Sequence, residues 1–72
     1  MSLDTLAVGT RGTVSGYAGD PPARLLELGL VPGTPVEVVR LAPLGDPMEI
    51  GVRGFYLSVR KAEAAAVLVE EV

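Results

Sequence analysis

Cysteine and histidine are both absent from this chain. Without cysteine there is no disulfide framework and no thiolate metal site to staple a small fold. Without histidine the commonest zinc ligand and the commonest acid–base catalyst are missing together. Aromatics are scarce, with one Phe, two Tyr and no Trp. A hydrophobic share of 49% must therefore be carried by Val, Leu, Ile and Ala, which suits a tight small sheet and argues against disorder. Asn and Gln are missing too, and Lys61 is the single lysine beside five arginines. Proteins of thermophiles and of GC-rich genomes both share that bias.

Excess positive charge is likewise lacking. The net charge is −3, which disfavours the basic stripe that nonspecific nucleic-acid binding requires. No apolar run reaches the roughly 18–20 residues needed to cross a bilayer. The leading stretch "MSLDTLAVG" has neither the charged nor the apolar region of a secretory signal. The expectation is a single cytoplasmic domain over residues 1–72, close to the lower size at which a core alone sustains a fold.

Catalytic constellations are missing as well. Ser2, Ser15 and Ser58 have no histidine to act as base. "GTRG" at 9–12 lacks the lysine and hydroxyl residue of a phosphate loop. Glu70 and Glu71, adjacent on an expected strand, point to opposite faces. The other carboxylates are dispersed, so the isolated chain is expected to bind Fe²⁺ or Zn²⁺ only weakly, unless folding gathers them. No cofactor and no catalytic residue is expected.

What is present is a series of short elements. Leu3, Leu6 and Val8 precede Gly9 as a segment packing on the core. Val14 is a strand centre between Gly12 and Gly16. "DPPARLLELGLVPG" predicts a two-turn helix over about 21–28, with Asp20 as N-cap and Pro21 at the first helical position. Gly29 would end it in the left-handed conformation, folding Leu30 back onto Leu25. "TPVEVVRLA" is a β-branched strand whose apolar phase slips between Val38 and Val39, the mark of a bulge. Residues 47–52 and 55–60 read as a hairpin turning at Arg53–Gly54, pairing Val52 with Phe55, Ile50 with Leu57 and Met48 with Val59. A slip of one residue would bury Glu49 and Arg53. "KAEAAA" closes one helical turn, and "VLVEEV" is a last strand. Five strands with one helix inserted after the first predict a mainly β protein, a small bent antiparallel barrel. Its buried set is Val14, Leu25, Leu28, Val36, Val38, Ile50, Val52, Leu57, Val59 and Val67.

The outer face of the 48–52 strand carries Glu49 and Gly51, with Arg53 next in alternation. A mid-strand glycine weakens a sheet and often marks close approach by another backbone. In the predicted register Tyr56 lies beside Gly51 and covers it, as aromatics do for strand glycines. Either Tyr56 shields its own barrel or a partner docks there. Glu49 and Arg53 are a recognition pair or simply solvated charges. Arg24 and Glu27, three apart on the helix, can pair with each other or offer a second docking surface.

The run "RLLELGLVPGTPVEVVRLAPLGDPMEIGVRGFYLSVRKAEAAAVLV", with the leading "LDTLAVGTRGTV", resembles the FeoA family of ferrous iron transport accessory proteins. "LGLVPGTPVEV", "PLGDPMEI", "VRG" and "LSVRKAEAAAVLV", in this order and spacing, carry the resemblance. It implies an SH3-like barrel with a helical insertion after the first strand. It also implies a non-enzymatic role, with the cytosolic, GTPase-containing part of a membrane ferrous iron permease as partner. Neither nucleic acid nor direct membrane insertion is expected, and self-association stays open. The same barrel forms the C-terminal domain of iron-dependent repressors, which makes metal-dependent regulation the alternative. This chain starts within a few residues of the barrel, so the stand-alone accessory protein is the expected match. A small-barrel nucleic-acid binder is a further alternative that the negative charge opposes. Proline-rich peptide binding, suggested by the SH3 likeness, needs an aromatic groove that three aromatics hardly build.

Overall fold

The computed structural model describes residues 1–72. Five strands form one antiparallel sheet: β1 (Arg11–Tyr17), β2 (Pro35–Leu41), β3 (Met48–Val52), β4 (Phe55–Val59) and β5 (Val67–Glu71). Their order is β4-β3-β2-β1-β5. Helix α1 (Ala23–Glu27) is inserted between β1 and β2, and the single turn α2 (Lys61–Ala64) joins β4 to β5. This is the predicted mainly β arrangement.

The predicted hairpin register is present residue for residue: Met48 faces Val59, Ile50 faces Leu57, and Val52 faces Phe55. Burial enforces it, since Met48, Ile50 and Val52 are all sealed from solvent, and a shift by one would exchange them for Glu49 and Gly51. The β2–β3 register shifts between Val38 and Arg40, so the bulge falls on Val39 as the broken apolar phase predicts. A second irregularity, between Val14 and Gly16, lets β1 run on past Gly16 to Tyr17 while pairing with β5.

Helix α1 starts later than predicted. Its N-cap is Pro22, in extended conformation with no side-chain cap, and Asp20 is left exposed outside it. The second proline is the reason: a residue preceding proline is barred from helical geometry, so Pro21 cannot be the first helical position. The other end is as expected. Gly29 has φ +92°; its N–H donates to the Leu26 carbonyl, and the Leu30 N–H donates to that of Leu25. These two bonds define a Schellman ending, and Leu25 and Leu30 are both fully buried.

Fourteen apolar residues form one continuous core, and eight of the ten predicted core residues are in it. Leu28 and Leu57 are only half-buried, packed against its margin. Leu57 and the exposed Phe55 lie on β4, a sheet edge with no strand on its other flank. Leu3 and Leu6 are buried but Val8 is exposed. Leu3–Thr5 is a 3₁₀ turn, which stacks positions three apart and leaves Val8 out of line.

Candidate functional site

The β1–β2–β3–β4 registers place Arg11 opposite Glu37, Glu37 opposite Gly51, and Gly51 opposite Tyr56. Paired residues share a face, so these four make one row across the outer surface of the sheet. At its centre lies a shallow groove of about 680 Å³, lined among others by Pro35, Val39, Gly51, Phe55, Tyr56 and Val72. A Cβ at Gly51 would stand 3.5 Å from Val39 Cγ2 and 3.7 Å from Tyr56 Cε1. The bulged valine and the tyrosine ring thus flank a bare stretch of backbone, as predicted for Tyr56. The ring itself remains 69% exposed.

Arg53 closes one end of the groove. It and Gly54 have φ of +50° and +86°, the two left-handed residues of a type I′ turn. An arginine in that region is uncommon, and here its side chain has a second task. Its Nη2 donates to Thr34 Oγ1 at 3.3 Å, and its Nη1 lies 3.3 Å from where a Cβ on Gly29 would be. Thr34 is itself buried and donates to the Gly29 carbonyl at 3.1 Å. The hairpin tip is thereby stitched to the end of α1.

Glu49 and Arg53, which the sequence offers as a recognition pair or as solvated charges, each take a partner within the chain. Arg40 Nη2 donates to Glu49 Oε1 at 3.0 Å, because the Val39 bulge brings Arg40 opposite Glu49. Arg53 faces Thr34. The expected Arg24–Glu27 pair is overturned. Arg24 Nη1 donates to both carboxylate oxygens of Glu63, at 2.8 and 2.9 Å, and its Nη2 to the Ser58 carbonyl at 2.9 Å. The fold brings Glu63 within reach of Arg24, and a carboxylate that accepts through both oxygens is a stronger partner than Glu27 on so short a helix. Glu27 stays exposed. Of the six sequence candidates, the fold gathers Gly51, Arg53 and Tyr56 around the groove. Glu49 belongs to a neighbouring cleft with Arg40, and Arg24 to another with Glu63. Val39, Phe55 and Val72 were not singled out from the sequence; the phase slip at Val39 was the available signal.

Elsewhere, Tyr17 donates its hydroxyl to the Leu30 carbonyl at 2.6 Å, and burial pushes its pKa upward. No group of three or more carboxylates is close enough to hold a metal ion. No helix is long and apolar enough to cross a membrane.

The five-stranded sheet with its inserted helix is an SH3-like domain. The sequence model of the FeoA domain matches residues 1–71, and the chain belongs to the FeoA family. It superposes on the FeoA protein of Chlorobium tepidum with a TM-score of 0.90 at 40% identity, covering all of this chain and 70% of that one. Stenotrophomonas maltophilia FeoA complexed with zinc, described as a prokaryotic SH3 domain protein, gives a TM-score of 0.82 at 30% identity, covering 97% of this chain and 89% of that one. A fusion of Fe(2+) transport protein A with the Fe(2+) transporter FeoB, from Porphyromonas gingivalis, is 40% identical over 47 residues. That match covers 65% of this chain and 6% of the fusion protein.

Proposed function

We propose that this chain is a non-enzymatic accessory module of ferrous iron transport, docking on the cytosolic part of the membrane iron permease. The observation that carries the reading is the Porphyromonas gingivalis relative, in which the matching segment and the FeoB transporter share one polypeptide. Fusion holds two domains at high effective concentration, an arrangement suited to partners that otherwise meet by diffusion. The docking surface is the groove over Gly51, with Tyr56 and Phe55 as aromatic anchors and Arg53 at its end. Exposed aromatics and arginine on a rigid sheet are the residue types that dominate interface energetics. Glu49 lies on the same face beyond the groove. Arg24 is committed to holding α1 and α2 together, which leaves the helix surface around Glu27 as the secondary candidate.

The test is a calorimetric titration of the purified cytosolic part of the permease with this chain, with and without guanine nucleotide. Saturable one-to-one binding is expected. No heat and no co-elution in either nucleotide state would retire the reading.

A further inference from the structure

The two edges of the sheet are finished differently. On the β5 side, Ser2 bridges to Leu68. The Val69 N–H donates to the Met1 carbonyl at 2.7 Å, and the Met1 nitrogen donates back to the Val69 carbonyl at 3.1 Å. β5 also ends in Glu70 and Glu71, and charges on an edge discourage strand addition. β4 has none of these protections. Phe55–Val59 contains no charge and no proline, and its five pairs with β3 run without a bulge. No strand flanks it on the other side.

The hairpin fixes which backbone groups of β4 are free. Across its two-residue turn, Val52 and Phe55 form a hydrogen-bonded pair, and such pairs alternate along an antiparallel ladder. Phe55, Leu57 and Val59 therefore bond to β3, while the N–H and C=O groups of Tyr56 and Ser58 point away from it. The one polar contact these outward groups receive is Arg24 Nη2 on the Ser58 carbonyl at 2.9 Å, and that oxygen keeps a second lone pair. Apolar side chains lie along the same edge, with Phe55 and Tyr56 exposed and Leu57 half-buried.

Charge selects what this edge takes. Of the six basic side chains, Arg11, Arg24 and Arg40 are paired with Glu37, Glu63 and Glu49. The other three, Arg53, Arg60 and Lys61, have no carboxylate partner, and all of them flank β4. In a chain of net charge −3, the open edge is thus basic at both ends. A second copy fits it poorly. Two-fold antiparallel pairing centred on Leu57 sets Arg53 opposite Lys61 of the other copy, twice, and like charges directly opposed are destabilising.

We propose that β4 is a strand-addition site for an extended segment of another protein, uncharged over its centre and carrying a carboxylate at each end. The segment runs antiparallel to β4 and its main chain bonds to Tyr56 and Ser58. Its alternate apolar side chains cover Phe55 and Leu57, and its carboxylates meet Arg53 at one end and Arg60 and Lys61 at the other. The bonding groups lie in the plane of the sheet, whereas the groove over Gly51 lies on its face. The proposal stands without the docking function above.

The experiment uses the whole chain and a nine-residue synthetic peptide, one residue for each position from Arg53 to Lys61. The peptide has glutamate at each end, valine third, fifth and seventh, and threonine elsewhere. Amide shifts and hydrogen exchange are followed by NMR as it is added. In the chain alone the Tyr56 and Ser58 amides are expected to exchange fast, and those of Leu57 and Val59 slowly. Saturating peptide should slow Tyr56 and Ser58 at least about tenfold. Lysine in place of both glutamates should weaken binding at least about tenfold. N-methylation of the fourth and sixth peptide residues, which face Ser58 and Tyr56, should abolish binding, while N-methylation of the fifth, whose N–H faces away, should leave it intact.

Slow exchange of Tyr56 and Ser58 in the dilute chain alone means that the edge is already covered and overturns the proposal. So does the absence of a saturable shift up to about 1 mM peptide, or equal affinity for the lysine peptide. Shifts confined to Val39 and Gly51 move the contact to the groove and overturn it as well. Protection of the same amides that grows with chain concentration, with a dimer in sedimentation, gives the edge to a second copy instead.

Discussion

Met48, Ile50 and Val52 on the inner side of β3 are sealed in the core, whereas Glu49 and Gly51 on its outer side leave a paired charge and bare backbone at the surface. The two sides belong to the same five residues, yet they answer to different constraints. Any polar replacement inside breaks the packing that sets the register of two hairpins. Outside, nothing in the fold requires a glycine at 51 or an exposed tyrosine beside it. The inner side explains why the barrel forms; the outer side is free to be shaped by a partner.

The same contrast separates two strand glycines. Gly12 is buried on β1, and a Cβ there would lie 2.9 Å from the Glu70 backbone carbonyl oxygen. Its missing side chain lets β5 close on β1, so the glycine is a requirement of the fold. Gly51 would meet only Val39 and Tyr56 side-chain atoms at ordinary contact distance. A glycine that the fold does not need, in the middle of a strand, is the stronger sign of external use.

Ile50→Ala tests the inner side and has the largest expected effect, a loss of about 2–5 kcal/mol in denaturant unfolding. A loss well under 1 kcal/mol would show that the core does not depend on β3. Gly12→Ala is next, at about 1–3 kcal/mol, because a backbone atom must move to admit the methyl group; wild-type stability in urea would break the contrast with Gly51.

Tyr17→Phe is smaller, about 1 kcal/mol for the lost bond to the Leu30 carbonyl. Its pH dependence carries a definite sign. Burial raises the Tyr17 pKa above its ordinary value of 10.0, so above that value the unfolded chain releases this proton before the folded one does. The Tyr17 contribution is therefore complete below pH 10 and is lost as pH rises through the higher folded value. Urea midpoints followed from neutral to strongly alkaline pH should fall less for Tyr17→Phe than for wild type. Parallel curves would contradict the assignment.

Much of this architecture was legible before any coordinates. The hairpin register, the Val39 bulge, the glycine ending of α1 and the place of Tyr56 beside Gly51 all follow from local patterns. Period-two burial, a broken phase and turn chemistry act over a few residues and leave their mark there. What escaped depends on distant parts of the chain. Arg24 reaches Glu63 only because the fold brings α2 and the end of β4 within its span, and Arg40 takes Glu49 only because the bulge rephases β2. The start of α1 differs from the sequence expectation for a local reason, the effect of Pro22 on Pro21. Two residues of the groove wall, Phe55 and Val72, leave no such mark, because they are exposed at a strand edge and at the chain end, where alternation no longer predicts burial.

The most direct measurement is Gly51→Val, read for stability and for affinity in parallel. A β-branched residue suits a strand and also restricts the unfolded chain, and both its contacts are movable side chains. The melting temperature should therefore stay the same or rise. Affinity for the cytosolic part of the permease should drop at least about tenfold, equivalent to about 1.4 kcal/mol. A stable Gly51→Val that binds as tightly as wild type would contradict the assignment of the outer face as the docking surface.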